Sequence, residues 1–354
     1  MNDKWKDEVK PSMKRRMDAI DYSQPHIYMI TIATEGRKPL FGKVVPIGEE
    51  GAQIEMTPLG RWVNQEVEHI PRIYPQITIV AKQVMPDHLH FIIYVREQLP
   101  VHLGRVINGF KVGCNRGYRE FCMHGSMPHG RSLPQSGTPL NPPFNSTAQP
   151  MGRVEWSASQ RQTNNNRDRS HGFLFETGYH DRVLSGRDQL QRMIDYIHDN
   201  PRRLLLKRQN SSLFHITTIT AAGMCFVAVG TTAIINAPTR IAVRISRSTD
   251  AACLAAITED LVSKARSGAV MISPFISPGE KVLRDILLAE HLPHIRIDGK
   301  GFEPYYKPQG ADFDAVADGF LLILAPWEYD TRRHLGKADF EELNRIAKLL
   351  ATEM

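Results

Sequence analysis

Apolar and polar positions in the first half of the chain follow two periods, alternation typical of strands and a three-to-four spacing typical of helices. The elements predicted, in chain order, are strand Ile27–Thr34, helix Leu59–Ile70, strand Ile77–Met85, a strand within Val84–Val95, helix Val101–Met123, a strand in Gly178–Leu184 and a helix from near Gly186 that Pro201 should end. This order predicts an α+β domain with a ferredoxin-like antiparallel sheet and helices on one side.

The second half has a different pattern, in which short apolar runs alternate with amphipathic segments. The strands predicted are Phe226–Val229, Ile241–Ile245, Ala269–Ser273, His294–Ile297 and Phe320–Leu324, and the helices are Ala251–Arg266, Glu280–Glu290 and Lys337–Thr352. Strands and helices alternating at these lengths favour a Rossmann-like α/β domain with a parallel sheet. We therefore predict two domains, residues 1–208 and 209–354.

Residues about 124–170 interrupt the first domain. The segment is rich in Pro, Gly, Ser, Asn and Gln and contains few residues able to build a core. Such a composition predicts a disordered insertion or a surface loop.

His88 and His90 are the most informative pair in the chain. They are two residues apart on a predicted strand, so both imidazoles leave the same face while Leu89 points to the other. Two neutral imidazoles held side by side can bind a divalent cation. The alternative is a pair of hydrogen-bonded histidines with no metal.

A second pair lies about a hundred residues later. Tyr196 and Asn200 are four apart on the predicted helix, and hence one turn apart on the same face. A phenol can act as a nucleophile for phosphoryl transfer, and an amide oxygen can complete a metal site. The alternative is that Tyr196 packs on the core and Asn200 caps the helix end.

Three motifs in this order resemble the HUH single-tyrosine transposases, in particular the branch of REP-associated tyrosine transposases. The motifs are MPDHLHFIIYV, GYHDRVL and YIHDNPRR, and the resemblance spans roughly residues 20 to 205. It implies that His88 and His90 bind Mg²⁺ or Mn²⁺, that Asn200 is a third ligand and that Tyr196 attacks DNA.

The resemblance also implies a substrate and a reaction. The substrate would be single-stranded DNA with hairpins, cleaved and rejoined through a 5′-phosphotyrosine. Transposases of this family commonly form homodimers, but the sequence itself leaves the oligomeric state open. The alternative is a regulatory protein that binds DNA hairpins without cleaving them.

Charge is divided unevenly between the two predicted domains. Residues 1–208 hold 29 Lys and Arg against 21 Asp and Glu, whereas the remainder holds 15 against 17. An excess of positive charge suits binding to a phosphate backbone, although a solvated surface would also account for it. The candidate phosphate contacts are Lys111, Arg116, Arg119, Arg182, Arg202 and Arg203.

Composition restricts the setting in which the protein works. The four cysteines form no CxxC pair, no apolar run reaches the length of a membrane span, and the first residues have no apolar core of a secretory signal. We therefore expect a cytoplasmic protein that does not enter the membrane.

Two turns in the second half follow predicted strands, where ligands bind in α/β sheets. One is the segment Ser273–Glu280, and the other begins at Ala325. The stretch GAVMISPFISPGEK resembles the DprA-like and LOG-like α/β domains, which bind nucleotides or DNA. Ordinary helix capping by serine with proline behind it is the alternative. No catalytic cluster is apparent, so we interpret this half as a binding, regulatory or assembly module.

Overall fold

The computed structural model describes residues 20–48, 51–124, 173–303, 306–330 and 332–352. The chain divides into two compact units, Met1–Leu205 and Leu206–Met354. The predicted insertion at about 124–170 lies outside the described residues, apart from its first position. Among the residues that are described, no helix is both long and apolar enough to cross a membrane.

The first unit is built on a four-stranded antiparallel sheet. Its strands are β1 (Ile27–Ala33), β4 (Ile77–Val84), β5 (His88–Val95) and β6 (His180–Leu184), in the spatial order β4-β5-β1-β6. A separate hairpin that the sequence did not predict joins β2 (Gly42–Ile47) to β3 (Gly51–Met56). The α+β class predicted for this unit is confirmed, and β5 is an internal strand.

Helices cover both faces of this sheet. They are α1 (Pro58–Ile73), α2 (Leu103–His124) and α3 (Arg187–Gln209). Helices α1 and α2 bury their apolar residues against one face, on residues such as Ile30, Leu89 and Phe91. Helix α3 packs its apolar residues on the opposite face, on Met29 and Ile92. The prediction of helices on one side was wrong. Both faces of the sheet carry apolar residues, Ile30 on one and Ile92 on the other, and both faces have to be shielded from water.

The contact between α1 and α2 depends on small residues. At Gly117, an added Cβ would lie 2.4 Å from the indole nitrogen of Trp62 on α1. The same indole N–H donates to the carbonyl oxygen of Gly113, 3.3 Å away. Gly109, on the same helix, has open space around it.

Gly117→Ala is expected to lower the free energy of unfolding by about 1–3 kcal/mol, because the methyl group forces the indole ring from its place. Gly109→Ala should instead raise it by up to about 1 kcal/mol, since alanine favours the helix and nothing is displaced. Urea unfolding of both variants measures the difference. Equal stability of the two would show that α1 and α2 do not pack in this way.

The second unit is a six-stranded sheet with helices on both faces. The strands are β7 (Thr217–Ala221), β8 (Met224–Gly230), β9 (Arg240–Ala242), β10 (Val270–Ser273), β11 (His294–Ile297) and β12 (Leu321–Ala325), in the spatial order β7-β8-β12-β11-β10-β9. The helices are α4 (Ala251–Arg266), α5 (Pro278–Ala289), α6 (Ala311–Ala317) and α7 (Lys337–Leu350).

This sheet is mixed rather than fully parallel. Strands β9 to β12 are parallel, as predicted, but β8 pairs antiparallel with β12 and β7 antiparallel with β8. The sequence analysis missed β7, although its β-branched threonines and isoleucine favour a strand. Strands β10 and β12 are buried throughout, as interior parallel strands must be.

The turn before α5 is an ordinary helix cap. Ser277 accepts from the backbone N–H of Glu280, the Glu280 carboxylate accepts from the backbone N–H of Ser277, and Pro278 begins the helix. Every group of this capping box is therefore used within the fold.

His294, on β11, is fully buried, and burial lowers its pKa to about 4. The unfolded chain takes up a proton as pH falls below about 6.5, whereas the folded chain resists until about pH 4. Stability is therefore lost as pH falls through this window.

In the variant His294→Asn, the amide can replace the Nδ1–H that faces the Leu292 carbonyl oxygen, but it cannot titrate. We expect the wild type to lose about 1–2 kcal/mol more than the variant between pH 6.5 and pH 5. Urea unfolding at both pH values tests this. A difference between the two proteins that does not change with pH would contradict it.

Candidate functional site

The two imidazoles of β5 lie side by side on the sheet face that α3 covers. The ring centroids of His88 and His90 are 4.8 Å apart, with the ring planes nearly perpendicular. Strand alternation puts both imidazoles on one face. The strand begins at His88, directly after the turn formed by Pro86 and Asp87. The pair predicted from the sequence is therefore brought together on a rigid internal strand.

His88 is held by the carboxylate of the residue before it. Its Nδ1 lies 2.6 Å from Oδ1 of Asp87, and an Arg37 nitrogen lies 3.6 Å from the other oxygen of that carboxylate. Burial alone would raise the pKa of Asp87. The hydrogen bond from His88 and the charges of His88 and Arg37 outweigh that effect, so the pKa lies below its ordinary value. Asp87 is thus an anion at neutral pH.

His90 is the more enclosed of the two. Its Nδ1 lies 2.8 Å from the hydroxyl oxygen of Thr31, its direct partner across the pairing of β1 and β5. Burial, with the charges of His88 and Arg37, lowers the pKa of His90 to about 3. The imidazole is therefore neutral at pH 7, which is the form that binds a metal.

Tyr196, on α3, faces the imidazole of His90. Its ring centroid is 6.0 Å from that of His90, and 39% of the residue is exposed. The core-packed alternative for Tyr196 does not hold, because a core tyrosine would not be accessible to this extent. Strand β5 and helix α3 thus bring together residues that are more than a hundred positions apart.

Asn200 lies inside α3 and not at its end. The helix continues through Pro201 to Gln209, so both the predicted helix end and the capping alternative were wrong. A proline removes one N–H from the helix ladder and disturbs the turn before it, but here Pro201 is buried and the following leucines extend the helix. Asn200 is 9% exposed, and its Nδ2 has no hydrogen-bond partner among the described residues.

The unpartnered amide allows a test of the implied metal. An asparagine amide can be turned over without changing its shape, so the unpartnered end can equally present the oxygen. A buried amide that lacks a partner is costly, and a cation bound through the oxygen would remove that cost. Within the described residues no three His, Cys, Asp or Glu side chains gather as a metal site. The ligands that the sequence predicts are two imidazoles and one amide.

Sequence reasoning missed several residues of this face. Pairing places His180 opposite Thr31 on β6, while Thr31 and Gln83 flank His90, so a polar row crosses all four strands. Thr31 was hidden because its contact with His90 forms only when β1 pairs with β5. Asp87 directly before the histidines was the one available signal.

The predicted phosphate contacts are divided between the two faces of the sheet. Helix α2, with Lys111, Arg116 and Arg119, packs on the face opposite the histidines. The ammonium group of Lys111 donates to the carbonyl oxygens of Glu176, at 2.9 Å, and of Gly178. Arg116 and Arg119 are exposed. Lys111 thus fastens α2 to the segment before β6, a structural role that the sequence did not indicate.

The other three arginines lie on β6 and α3. Arg182 is exposed on β6 opposite Met29, and hence on the face that carries the histidines. Arg202 makes two hydrogen bonds to Asp199 on the same helix, at 2.6 and 3.2 Å. Arg203 lies 3.9 Å from that same carboxylate. Asp199 therefore neutralises part of the positive charge that follows the tyrosine.

Comparisons with known proteins give partial likenesses. No family model matches the chain. A protein of Haemophilus influenzae, described only as uncharacterized, is 26% identical over 187 residues, which are 52% of this chain and 86% of that protein.

Two kinds of solved structure are similar in part. One is a REP-associated tyrosine transposase bound to a REP hairpin, which is 12% identical in sequence. The match covers 54% of this chain and 72% of that chain, with a TM-score of 0.28. The other is the DNA processing protein A of Helicobacter pylori, described for its single-stranded DNA binding mode, which is 19% identical. The match covers 40% of this chain and 67% of that chain, with a TM-score of 0.32. These TM-scores are too low to establish a common fold.

Proposed function

We propose that this protein is a metal-dependent transposase or nicking endonuclease acting on single-stranded DNA. It cleaves and rejoins DNA beside hairpins formed by palindromic repeats, through a 5′-phosphotyrosine at Tyr196. The observation that carries the proposal is the approach of the Tyr196 ring to the imidazole of His90, with the two rings 6.0 Å apart. A nucleophile beside a pair of imidazoles able to hold a divalent cation is what phosphoryl transfer to tyrosine needs.

The implied cation is Mg²⁺ or Mn²⁺. His88 and His90 would hold it, with Asn200 as the third ligand. When bound, such an ion neutralises the charge on the non-bridging phosphate oxygens and polarises the leaving 3′-oxygen. The neutral state of His90 and the unpartnered amide of Asn200 support this ligand set.

The chain's own residues carry the covalent step. The phenolic oxygen of Tyr196 forms a bond to phosphorus, the bond between phosphorus and the 3′-oxygen breaks, and the 3′-oxygen takes a proton. A free phenol has a pKa of about 10, so loss of its proton has to accompany the attack. The ester retains the energy of the broken bond, and a 3′-hydroxyl can therefore reverse the step without ATP.

The position of the tyrosine suits a polymeric substrate. Tyr196 is partly exposed at the surface of α3, so a DNA strand can reach it without the core opening. Arg182 is exposed on the same sheet face and is the predicted phosphate contact best placed to guide that strand. Arg116 and Arg119, on the opposite face, would contact only DNA that extends around the sheet.

A covalent-adduct assay tests the function. A labelled single-stranded oligonucleotide with a hairpin is incubated with the full chain and Mn²⁺, and the products are separated in denaturant. We expect a labelled protein band that a chelator prevents and that an unstructured oligonucleotide of equal composition does not give. Complexes that all dissolve in denaturant would instead support the non-catalytic hairpin-binding protein.

A further inference from the structure

Each imidazole of the pair has one ring nitrogen already engaged within the protein. Nδ1 of His88 is 2.6 Å from the Asp87 carboxylate, and Nδ1 of His90 is 2.8 Å from the Thr31 hydroxyl. In both rings, therefore, Nε2 is the nitrogen left for a ligand.

The two engaged atoms restrict where the ring protons lie. A carboxylate only accepts hydrogen bonds, so Nδ1 of His88 must carry a proton, and in the neutral ring the free electron pair is then at Nε2. The Thr31 hydroxyl can donate or accept. When it accepts, His90 takes the same tautomer and also presents a free electron pair at Nε2.

From these contacts we propose that Thr31 and Asp87 are positioning residues for a divalent cation. Each holds one imidazole by Nδ1, so that both rings direct Nε2 to one ion. The proposal rests on the metal site of the proposed function, but it makes its own claim about how that site is built. Partners of this kind orient metal-binding histidines and raise their basicity.

The fold holds both partners firmly. Thr31 is the direct cross-strand partner of His90 on β1, so its hydroxyl is fixed by the register of the sheet. The turn containing Asp87 is tied to the end of β1, because the backbone N–H and the hydroxyl of Thr34 both donate to the Asp87 carbonyl oxygen, each at 2.9 Å.

A strained residue completes the arrangement. Arg37 has a φ of +55°, a left-handed conformation that costs a non-glycine residue on the order of 1–3 kcal/mol. That conformation occurs in the short turn after β1, and the Arg37 guanidinium lies 3.6 Å from the Asp87 carboxylate. Strain kept at such a place is typical of functional sites.

The two partners differ in charge. His88 has a carboxylate as its partner, whereas His90 has the neutral hydroxyl of Thr31. Hydrogen bonds to charged groups are stronger than those between neutral groups. Loss of the Asp87 carboxylate should therefore weaken metal binding more than loss of the Thr31 hydroxyl.

The roles of Asp87 and Thr31 can be tested by measuring the affinity for Mn²⁺ without DNA. The electron paramagnetic resonance signal of free Mn²⁺ reports how much of the ion is bound. We expect Asp87→Asn and Thr31→Val to weaken Mn²⁺ binding by about 10- to 100-fold. Thr31→Ser, which keeps the hydroxyl, should restore it. Thr78→Val is the matched control, because Thr78 is exposed on β4 and pairs with Tyr94, four residues beyond His90. Unchanged affinity in both Asp87→Asn and Thr31→Val would overturn the proposal.

A second measurement needs no metal. The ¹⁵N chemical shifts of the imidazoles in the metal-free full chain report which ring nitrogen carries the proton. In the wild type we expect the proton of His88 on Nδ1, and in Asp87→Asn a mixture of both tautomers. An unchanged tautomer in Asp87→Asn would overturn the role of Asp87, even if that variant were also less stable.

These readouts separate the proposal from the proposed function. If the variants lose Mn²⁺ while the wild type forms no DNA adduct, the positioning role stands and strand transfer fails. If the wild type forms the adduct and the variants keep full Mn²⁺ affinity, strand transfer stands and the positioning role fails.

Discussion

Tyr196→Phe is expected to abolish the covalent protein–DNA adduct while leaving the affinity for the hairpin nearly unchanged. The substitution removes one oxygen from a partly exposed ring and keeps the aromatic contact with His90. Without the phenolic oxygen no phosphotyrosine can form, and loss of a nucleophile lowers rates on the order of 10³-fold or more. Denaturing gels measure the adduct, and fluorescence anisotropy measures the affinity.

Tyr94→Phe supplies the matched control for this experiment. Tyr94 lies on β5, four residues beyond His90 and on the same face, and it is 40% exposed against 39% for Tyr196. We expect Tyr94→Phe to form the adduct at the wild-type rate. An adduct that persists in Tyr196→Phe would show that another residue is the nucleophile.

His88→Ala and His90→Ala are each expected to remove Mn²⁺-dependent cleavage, with a loss on the order of 10²-fold or more. Either change leaves one imidazole, which holds a divalent ion weakly against water. Cleavage at increasing Mn²⁺ concentration measures the effect, and a partial recovery at high Mn²⁺ would fit a weakened site. His26→Ala, a change at an exposed position just before β1, should behave as the wild type.

His90 is buried, so its removal by alanine also leaves a cavity. His90→Gln keeps most of the volume and separates loss of the ligand from loss of packing. We expect it to remain folded by circular dichroism and still to lack cleavage. Full cleavage in both His88→Ala and His90→Gln would refute the metal site, whatever the adduct assay shows for Tyr196.

The candidate site was predictable in part because its central residues are local signals. Two histidines separated by one apolar residue must share a strand face, and Tyr196 and Asn200 must share a helix face, wherever the chain places those elements. The supporting residues carry no such signal. Thr31 contacts His90 across 59 positions, and that contact exists only because β1 pairs with β5 in one register.

Errors about the fold arose where local signals compete with packing. Pro201 is a strong helix breaker on local grounds, yet α3 runs through it, because Ile197 and Pro201 itself are buried and partly buried leucines continue the helix beyond the proline. Lys111 illustrates the same limit for charge. A lysine on an amphipathic helix predicts solvent or phosphate, but here the ammonium group binds two carbonyl oxygens of a distant segment.

By itself, the sequence determined the periodic elements, the two imidazoles on one strand face, and the tyrosine and amide on one helix face, because these follow from the 2.0 and 3.6 residue periods alone. Only the tertiary structure decided that α3 covers the histidine face while α1 and α2 cover the other, and that Thr31, Asp87 and Arg37 surround the pair. Such arrangements depend on strand register and on how apolar faces are shared, and these are settled by the chain as a whole.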